Sequence, residues 1–301
     1  MQSAAFVQAD VFSDSPFGGN PVVVILDAQG MSDAEMLAIA RGMSFAETGF
    51  IVPPTVDGAD VRLRFFTPAT EVPFSGHLML GAAYVLMTQS GGPLELHARI
   101  LVQTELGVFP VNAEIQGGEV RRVTVTENPP GFGDSVEDIL PLAKALRLDP
   151  SHITATGLTP QVVTTTLPTL VVPVASRDAV SSIALDRSAL AIACVDVGAD
   201  VTAVYTLDTL RPESTVFVRV FAPLLGVDED PATGSANAAL AAYLVRFGVV
   251  PNAPTVRVTA EQGYAVGRPS LILVDVTQDG ETLQVQVGGR VARAAEGVIY
   301  F

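Results

Sequence analysis

The stretch Glu229-Asp230-Pro231-Ala232-Thr233-Gly234-Ser235-Ala236 packs two carboxylates, a proline and a glycine into a turn. The almost wholly apolar run 236–245 follows it. That order predicts a loop feeding the N-terminus of a buried helix. The free N–H groups of such an end suit an anion, for example a substrate carboxylate. Taken alone, the same residues also describe an ordinary helix cap with a proline nearby. The chain, however, does this twice.

The earlier copy begins at Arg64-Phe65-Phe66-Thr67-Pro68, runs through a loop containing Glu71 to Ser75-Gly76-His77, and enters the apolar segment 78–86. The later copy begins at Arg219-Val220-Phe221-Ala222-Pro223 and reaches Gly234-Ser235 through an acidic loop. Beyond the helices, Thr104-Glu105-Leu106-Gly107 matches Ala260-Glu261-Gln262-Gly263. A repeat of about half the chain is too long for a solenoid unit. It predicts two similar domains, with one helix N-terminus from each facing a shared cleft.

Three side chains could move protons there. Glu47 lies in Ser44-Phe45-Ala46-Glu47-Thr48-Gly49-Phe50. Ser44 and Glu47 match a capping box, but Gly49 and the β-branched residues after it argue against a helix. A carboxylate entering an apolar strand is costly to bury while charged, and burial would prepare it as a proton donor or acceptor. His77 stands at the first helix start, opposite Ser235 at the second. Both could hold a substrate carboxylate or hydroxyl, and His77 could also move a proton. Asp230 ends an acidic run that would otherwise read as a solvated loop.

Phosphate-loop and dinucleotide-binding glycine patterns are absent, as is a serine nucleophile elbow. His77, His97 and His152 are too widely spaced for a histidine metal site. The remaining toolkit of carboxylates, one imidazole and helix ends suits proton transfer at carbon with no cofactor and no metal.

The totals agree. The chain has 301 residues, 49% hydrophobic and 16% charged, enough for two sizeable cores. A net charge of −15 weighs against nucleic acid or an anionic membrane as partner. Mean hydropathy is +0.41, yet no apolar run approaches a membrane span. One cysteine, Cys194, and no signal-peptide pattern point to the cytoplasm.

Strands are expected over about 4–12, 22–26, 50–52, 61–66, 94–103, 107–115 and 119–127, with a capped helix at 32–43 and a buried one at 78–87. After a Pro- and Gly-rich crossover at 128–134, helices are expected near 137–147 and 187–194. Later strands are expected at 161–166, 169–174, 203–207, 216–221, 255–260, 264–267, 271–276 and 283–287, with one or two more in the tail. A helix with no polar stripe needs apolar neighbours on every side. The expected fold is therefore α+β: two pseudo-symmetric lobes, each a curved or barrel-like sheet around a central apolar helix. The lobes are expected at 1–117 plus 288–301 and at 118–287.

Phe17-Gly-Gly-Asn-Pro-Val, Ala46-Glu47-Thr48-Gly49-Phe50, Arg64-Phe-Phe-Thr-Pro with Glu71-Val72-Pro73, Ser75-Gly76-His77 and the 229–236 motif together resemble the phenazine-biosynthesis PhzF-like family. The resemblance implies the diaminopimelate-epimerase fold and a cofactor-independent isomerase acting on a small, cyclic carboxylic acid. It implies a proton-shuttling role for Glu47, assisting roles for His77 and Asp230, and substrate-binding caps at Gly76, Gly234 and Ser235. It also implies a homodimer. Related epimerases use two cysteines, whereas here Ser75 stands at the first position and the second motif has none, so two-thiol racemisation is disfavoured. Leu78-Met79 replace an Ala-Thr pair common in the family, which makes that wall more apolar. A lyase or carbon–carbon hydrolase on a related acid is an alternative outcome, and a non-catalytic metabolite-binding module is another.

Overall fold

The computed structural model describes residues 2–89, 99–251, 253–280 and 282–301. The first half of the chain runs β1 (Ser3–Val11), β2 (Asn20–Ile25), α1 (Asp33–Met43), β3 (Thr48–Val52), β4 (Val61–Phe66), β5 (Glu71–Val72), α2 (Gly76–Gln89), β6 (Arg99–Thr104), β7 (Gly107–Gln116), β8 (Glu119–Thr126) and β9 (Gly131–Ser135). The second runs α3 (Leu140–Leu146), α4 (Ser151–Thr154), β10 (Gln161–Thr164), β11 (Pro168–Pro173), α5 (Arg177–Ser182), α6 (Arg187–Val197), β12 (Val201–Thr206), β13 (Val216–Ala222), β14 (Val227–Asp230), α7 (Gly234–Arg246), β15 (Thr255–Gln262), β16 (Ser270–Asp279), β17 (Thr282–Gly289) and β18 (Val291–Tyr300).

The pairing pattern is duplicated. β1·β2 and β10·β11 are antiparallel, β2·β3 and β11·β12 parallel, β3·β4 and β12·β13 antiparallel. β4 then pairs β5 antiparallel and β6 parallel, just as β13 pairs β14 and β15. The last strand of each half is exchanged: β18 pairs with β1, and β9 pairs with β10. The chain accordingly forms two compact units, 1–125 with 288–301, and 126–287. The division falls after 125 rather than 117 because β8 continues the β7 hairpin.

Each unit is organised around one helix. In α2, Leu78, Met79, Leu80, Ala82, Ala83, Val85 and Met87 are all buried. The helix packs against β1, β2, β3, β6, β7 and β18, strands that lie on several of its sides. In α7, the nine residues Ala236 to Leu244 are buried without interruption, and the neighbours are β10, β11, β12, β15 and β16. Each fully buried Leu or Met contributes about 1.5–3 kcal/mol. Gly81 lets α2 approach its sheet, since a Cβ there would stand 2.6 Å from Val22 Cγ2. Shorter helices cover the outer faces. α1 sits over a cluster with Ile25, Phe50 and Phe66, and α3, α5 and α6 over one with Leu170, Val172 and Phe221. The expected capping box at Ser32 and Glu35 is present. Among the described residues no helix is long and apolar enough to cross a membrane.

Several local expectations are corrected. Residues 264–267 turn rather than extend, with Gly263 and Gly267 at positive φ. Part of the crossover at 128–134 is strand β9, and α4 and α5 are additional short helices. In agreement with the argument from Gly49, Ser44 opens no helix towards Glu47; it closes α1 in a left-handed conformation, φ 57°. The expected strand start at 94–98, and His97, lie outside the described residues.

Candidate active site

Glu47 immediately precedes β3. Gly49 faces α2, where a Cβ would stand 2.3 Å from Leu78 Cδ2. That close approach brings the strand's start to the start of the helix, where the Glu47 carboxylate meets Ser75. Ser75 caps α2 through its backbone, accepting from Met79 N at 3.0 Å. Its hydroxyl is free for other work and donates to Glu47 Oε2. The same hydroxyl lies 3.5 Å from His77 Nδ1. His77 Nε2 is 3.6 Å from the shared Glu47 oxygen, too far for a hydrogen bond. That nitrogen is buried and has no hydrogen-bond partner.

One carboxylate oxygen is therefore flanked by a hydroxyl and an imidazole. The Glu47 and His77 side chains are 21% and 17% exposed, open enough for a ligand, while Ser75 is buried. The set suits proton relay. A hydroxyl donates to the ionised carboxylate and accepts from the protonated one, and an imidazole can do either.

At the second helix start the acidic run is strand β14, not a loop, and its members diverge. Asp228 pairs with Arg187 at 2.9 Å. Glu229 takes a two-pronged bond from Arg219, at 2.7 and 3.1 Å. Asp230 Oδ2 accepts from the Thr233 hydroxyl at 2.5 Å. Thr233 is the N-cap of α7, yet its side chain makes no cap bond because it is committed to Asp230. Gly234 and Ser235 open the helix, and Ser235 O accepts from Thr165 Oγ1 at 3.2 Å.

Behind this cap lies a buried amide pair. Gln262 Oε1 accepts from Thr233 N at 3.2 Å and from Asn237 Nδ2 at 2.7 Å. Gln262 Nε2 donates to Asp230 O at 2.8 Å and to Thr233 Oγ1 at 3.2 Å. Asn237 Nδ2 also reaches Thr233 O, at 2.9 Å.

The structure thus brings Glu47 and His77 together beside Gly76 in the first unit, and Asp230 beside Gly234 and Ser235 in the second. Sequence reasoning noted Ser75 only as a residue in the place of a thiol and did not foresee its bond to Glu47. Thr233, Asn237 and Gln262 were missed as partners. The available signal was Asn237, the one amide in the apolar run 236–245.

A family model described as "Phenazine biosynthesis-like protein" matches residues 9–297. An uncharacterized isomerase of Mesorhizobium japonicum is 32% identical over the whole of both chains. The trans-2,3-dihydro-3-hydroxyanthranilate isomerase of Pseudomonas fluorescens is 33% identical over 305 residues, 98% of each chain. Among solved structures, the PhzF-family phenazine biosynthesis protein of Bacillus anthracis superposes with a TM-score of 0.90 at 25% identity, over all of both chains. A hydroxyproline epimerase of Agrobacterium vitis shares the fold at a TM-score of 0.59 and 13% identity, covering 99% and 91%. With its duplicated halves, this chain belongs to the phenazine biosynthesis-like (PhzC-PhzF) family and is an isomerase of the diaminopimelate-epimerase-like fold.

Proposed function

We propose that the protein moves a proton between carbons of a small cyclic carboxylic acid without a cofactor, with Glu47 as the carrier. The observation that carries this is the Glu47 carboxylate held between the Ser75 hydroxyl and the buried, unpartnered Nε2 of His77. Glu47 takes a proton from one carbon and returns it to another. Ser75 stabilises the ionised form by donation, and His77 serves the substrate's developing charge or its leaving proton. Negative charge on the substrate's π system or carboxylate is met by the N–H groups at the start of α2, around Gly76. The family resemblance adds substrate-binding roles for Gly234 and Ser235 and an assisting role for Asp230, so Asp230→Asn is expected to slow the same reaction. The family resemblance adds a homodimer, which light scattering checks.

The test is NMR in D₂O with small cyclic carboxylic acids, beginning with trans-2,3-dihydro-3-hydroxyanthranilate, the acid named for the Pseudomonas relatives. The expected result is an isomer that carries solvent deuterium and no fragment, at a rate unchanged after dialysis against a chelator. Fragmentation would instead make the protein a lyase or hydrolase. Loss of activity on dialysis would contradict cofactor independence.

A further inference from the structure

Gln262 ends β15 and is fully buried. Its four hydrogen bonds use the full capacity of a primary amide in two directions. Two N–H donors, Thr233 N and Asn237 Nδ2, face one terminal atom, so that atom is the oxygen and the amide's orientation follows. The nitrogen then donates to the Thr233 hydroxyl, which leaves the hydroxyl hydrogen free to point at Asp230. The same nitrogen holds the backbone oxygen of Asp230. One buried amide therefore sets the main chain of Asp230, the donor facing its carboxylate, and the first turn of α7.

The support for Gln262 is itself tight. Gly263 has φ +82°, and a Cβ there would stand 2.2 Å from Arg268 O and 2.5 Å from Pro231 O. Ser270 Oγ donates to Pro231 O at 3.0 Å, fixing the same loop from the next strand. Among the described residues the first unit shows no such device. Register equates Val61 and Val102 with Val216 and Ala260, so Thr104 occupies the place of Gln262. The Thr104 hydroxyl serves its own turn, through Gly107 O and Leu106 N.

We propose that Gln262 is a positioning residue for the isomerase reaction, aiming the Thr233 hydroxyl at Asp230 and tying the Asp230 loop to the start of α7. This rests on the assisting role proposed for Asp230 above.

The experiment measures kcat and KM on trans-2,3-dihydro-3-hydroxyanthranilate across acid and neutral pH for wild type, Gln262→Leu, Gln262→Glu and Thr233→Val. Gln262→Leu is expected to lose about 10²-fold in kcat, the scale of a small misplacement of catalytic groups, with KM little changed. Gln262→Glu keeps the acceptor and lacks the donor. Its kcat is expected to recover in part towards acid pH, as the new carboxyl takes up a proton and gains one O–H donor in place of the two N–H donors. Thr233→Val is expected to match Gln262→Leu, and the double variant to add nothing further. If Gln262→Leu fails to fold, the other two decide. Wild-type kcat in a folded variant, or a Gln262→Glu pH profile parallel to wild type, would overturn the role. Failure of the underlying reading looks different: wild type moves no hydrogen in this acid, and the proposal falls with it.

Discussion

The two halves of the molecule share a frame and part company at the helix starts. Arg64 on β4 grips Glu71 on β5, at 2.7 and 2.6 Å, and lies 5.2 Å over Phe66. Arg219 on β13 grips Glu229 on β14 in the same way and lies 5.0 Å over Phe221. Gln103 holds Thr55 ahead of β4, and Glu261 holds Leu210 and Arg211 N–H ahead of β13. At the α7 start, however, Gln262, Asn237 and Thr233 brace one another, and the atom of that set left unpartnered is the buried Asn237 Oδ1. At the α2 start, Glu47, Ser75 and His77 stand with His77 Nε2 unpartnered on a side chain that is 17% exposed. A duplicated scaffold can thus divide labour. One helix start is braced from behind by buried amides, and the other keeps polar capacity on a partly open side chain that a substrate can fill.

The largest effect expected from this comparison is at the paired arginines. Arg219 is nearly buried and also donates to Val180 O and Ile183 O, so Arg219→Ala should cost about 3–5 kcal/mol. Arg64 shares its charge with the exposed Asp33, and Arg64→Ala should cost about 1 kcal/mol. Urea unfolding of both variants checks the ratio, and equal losses would break the contrast.

Next come the glycines that follow β15 and β6. Gly263→Ala forces a Cβ into two backbone oxygens at positive φ and should cost roughly 2–4 kcal/mol. Gly107, φ +136°, has open space around it, so Gly107→Ala pays only backbone strain of about 1–2 kcal/mol. Thermal melts that rank them the other way would mean the second unit's loop is not tight.

The smallest effect concerns Glu127. Burial raises its carboxyl above the ordinary 4.5, opposed by the Thr166 hydroxyl that donates to it. The folded protein therefore holds this proton more tightly than the unfolded chain does. Its contribution to stability is present at acid pH and declines as pH rises from about 4.5 through the folded value. Glu127→Gln removes that dependence, so its Tm relative to wild type should rise with pH. A Glu127→Gln Tm that falls relative to wild type as pH rises would contradict the assignment.

Much of this architecture was legible because apolar pattern reports burial directly. The unbroken runs in α2 and α7, and the Arg-x-Phe strands before them, announce two helices wrapped by sheet. What period cannot encode is partner choice. Nothing in residues 131–135 or 291–300 says that β9 pairs with β10 and β18 with β1. Glycine-rich β9 also gains its strand only from that neighbour. Matching Gly107 with Gly263 set Leu106 opposite Gln262, whereas strand register sets Thr104 there, an offset of two. Ser75 and Glu47 lie 28 residues apart, so their bond exists only once α2 docks on β3.

The most direct measurement is the rate of solvent deuterium entry into the isomerised acid, compared between wild type and Glu47→Gln at matched Tm. Loss of a general base predicts a fall of about 10²–10⁴-fold with the fold intact. A folded Glu47→Gln protein that labels the acid at the wild-type rate would contradict the account.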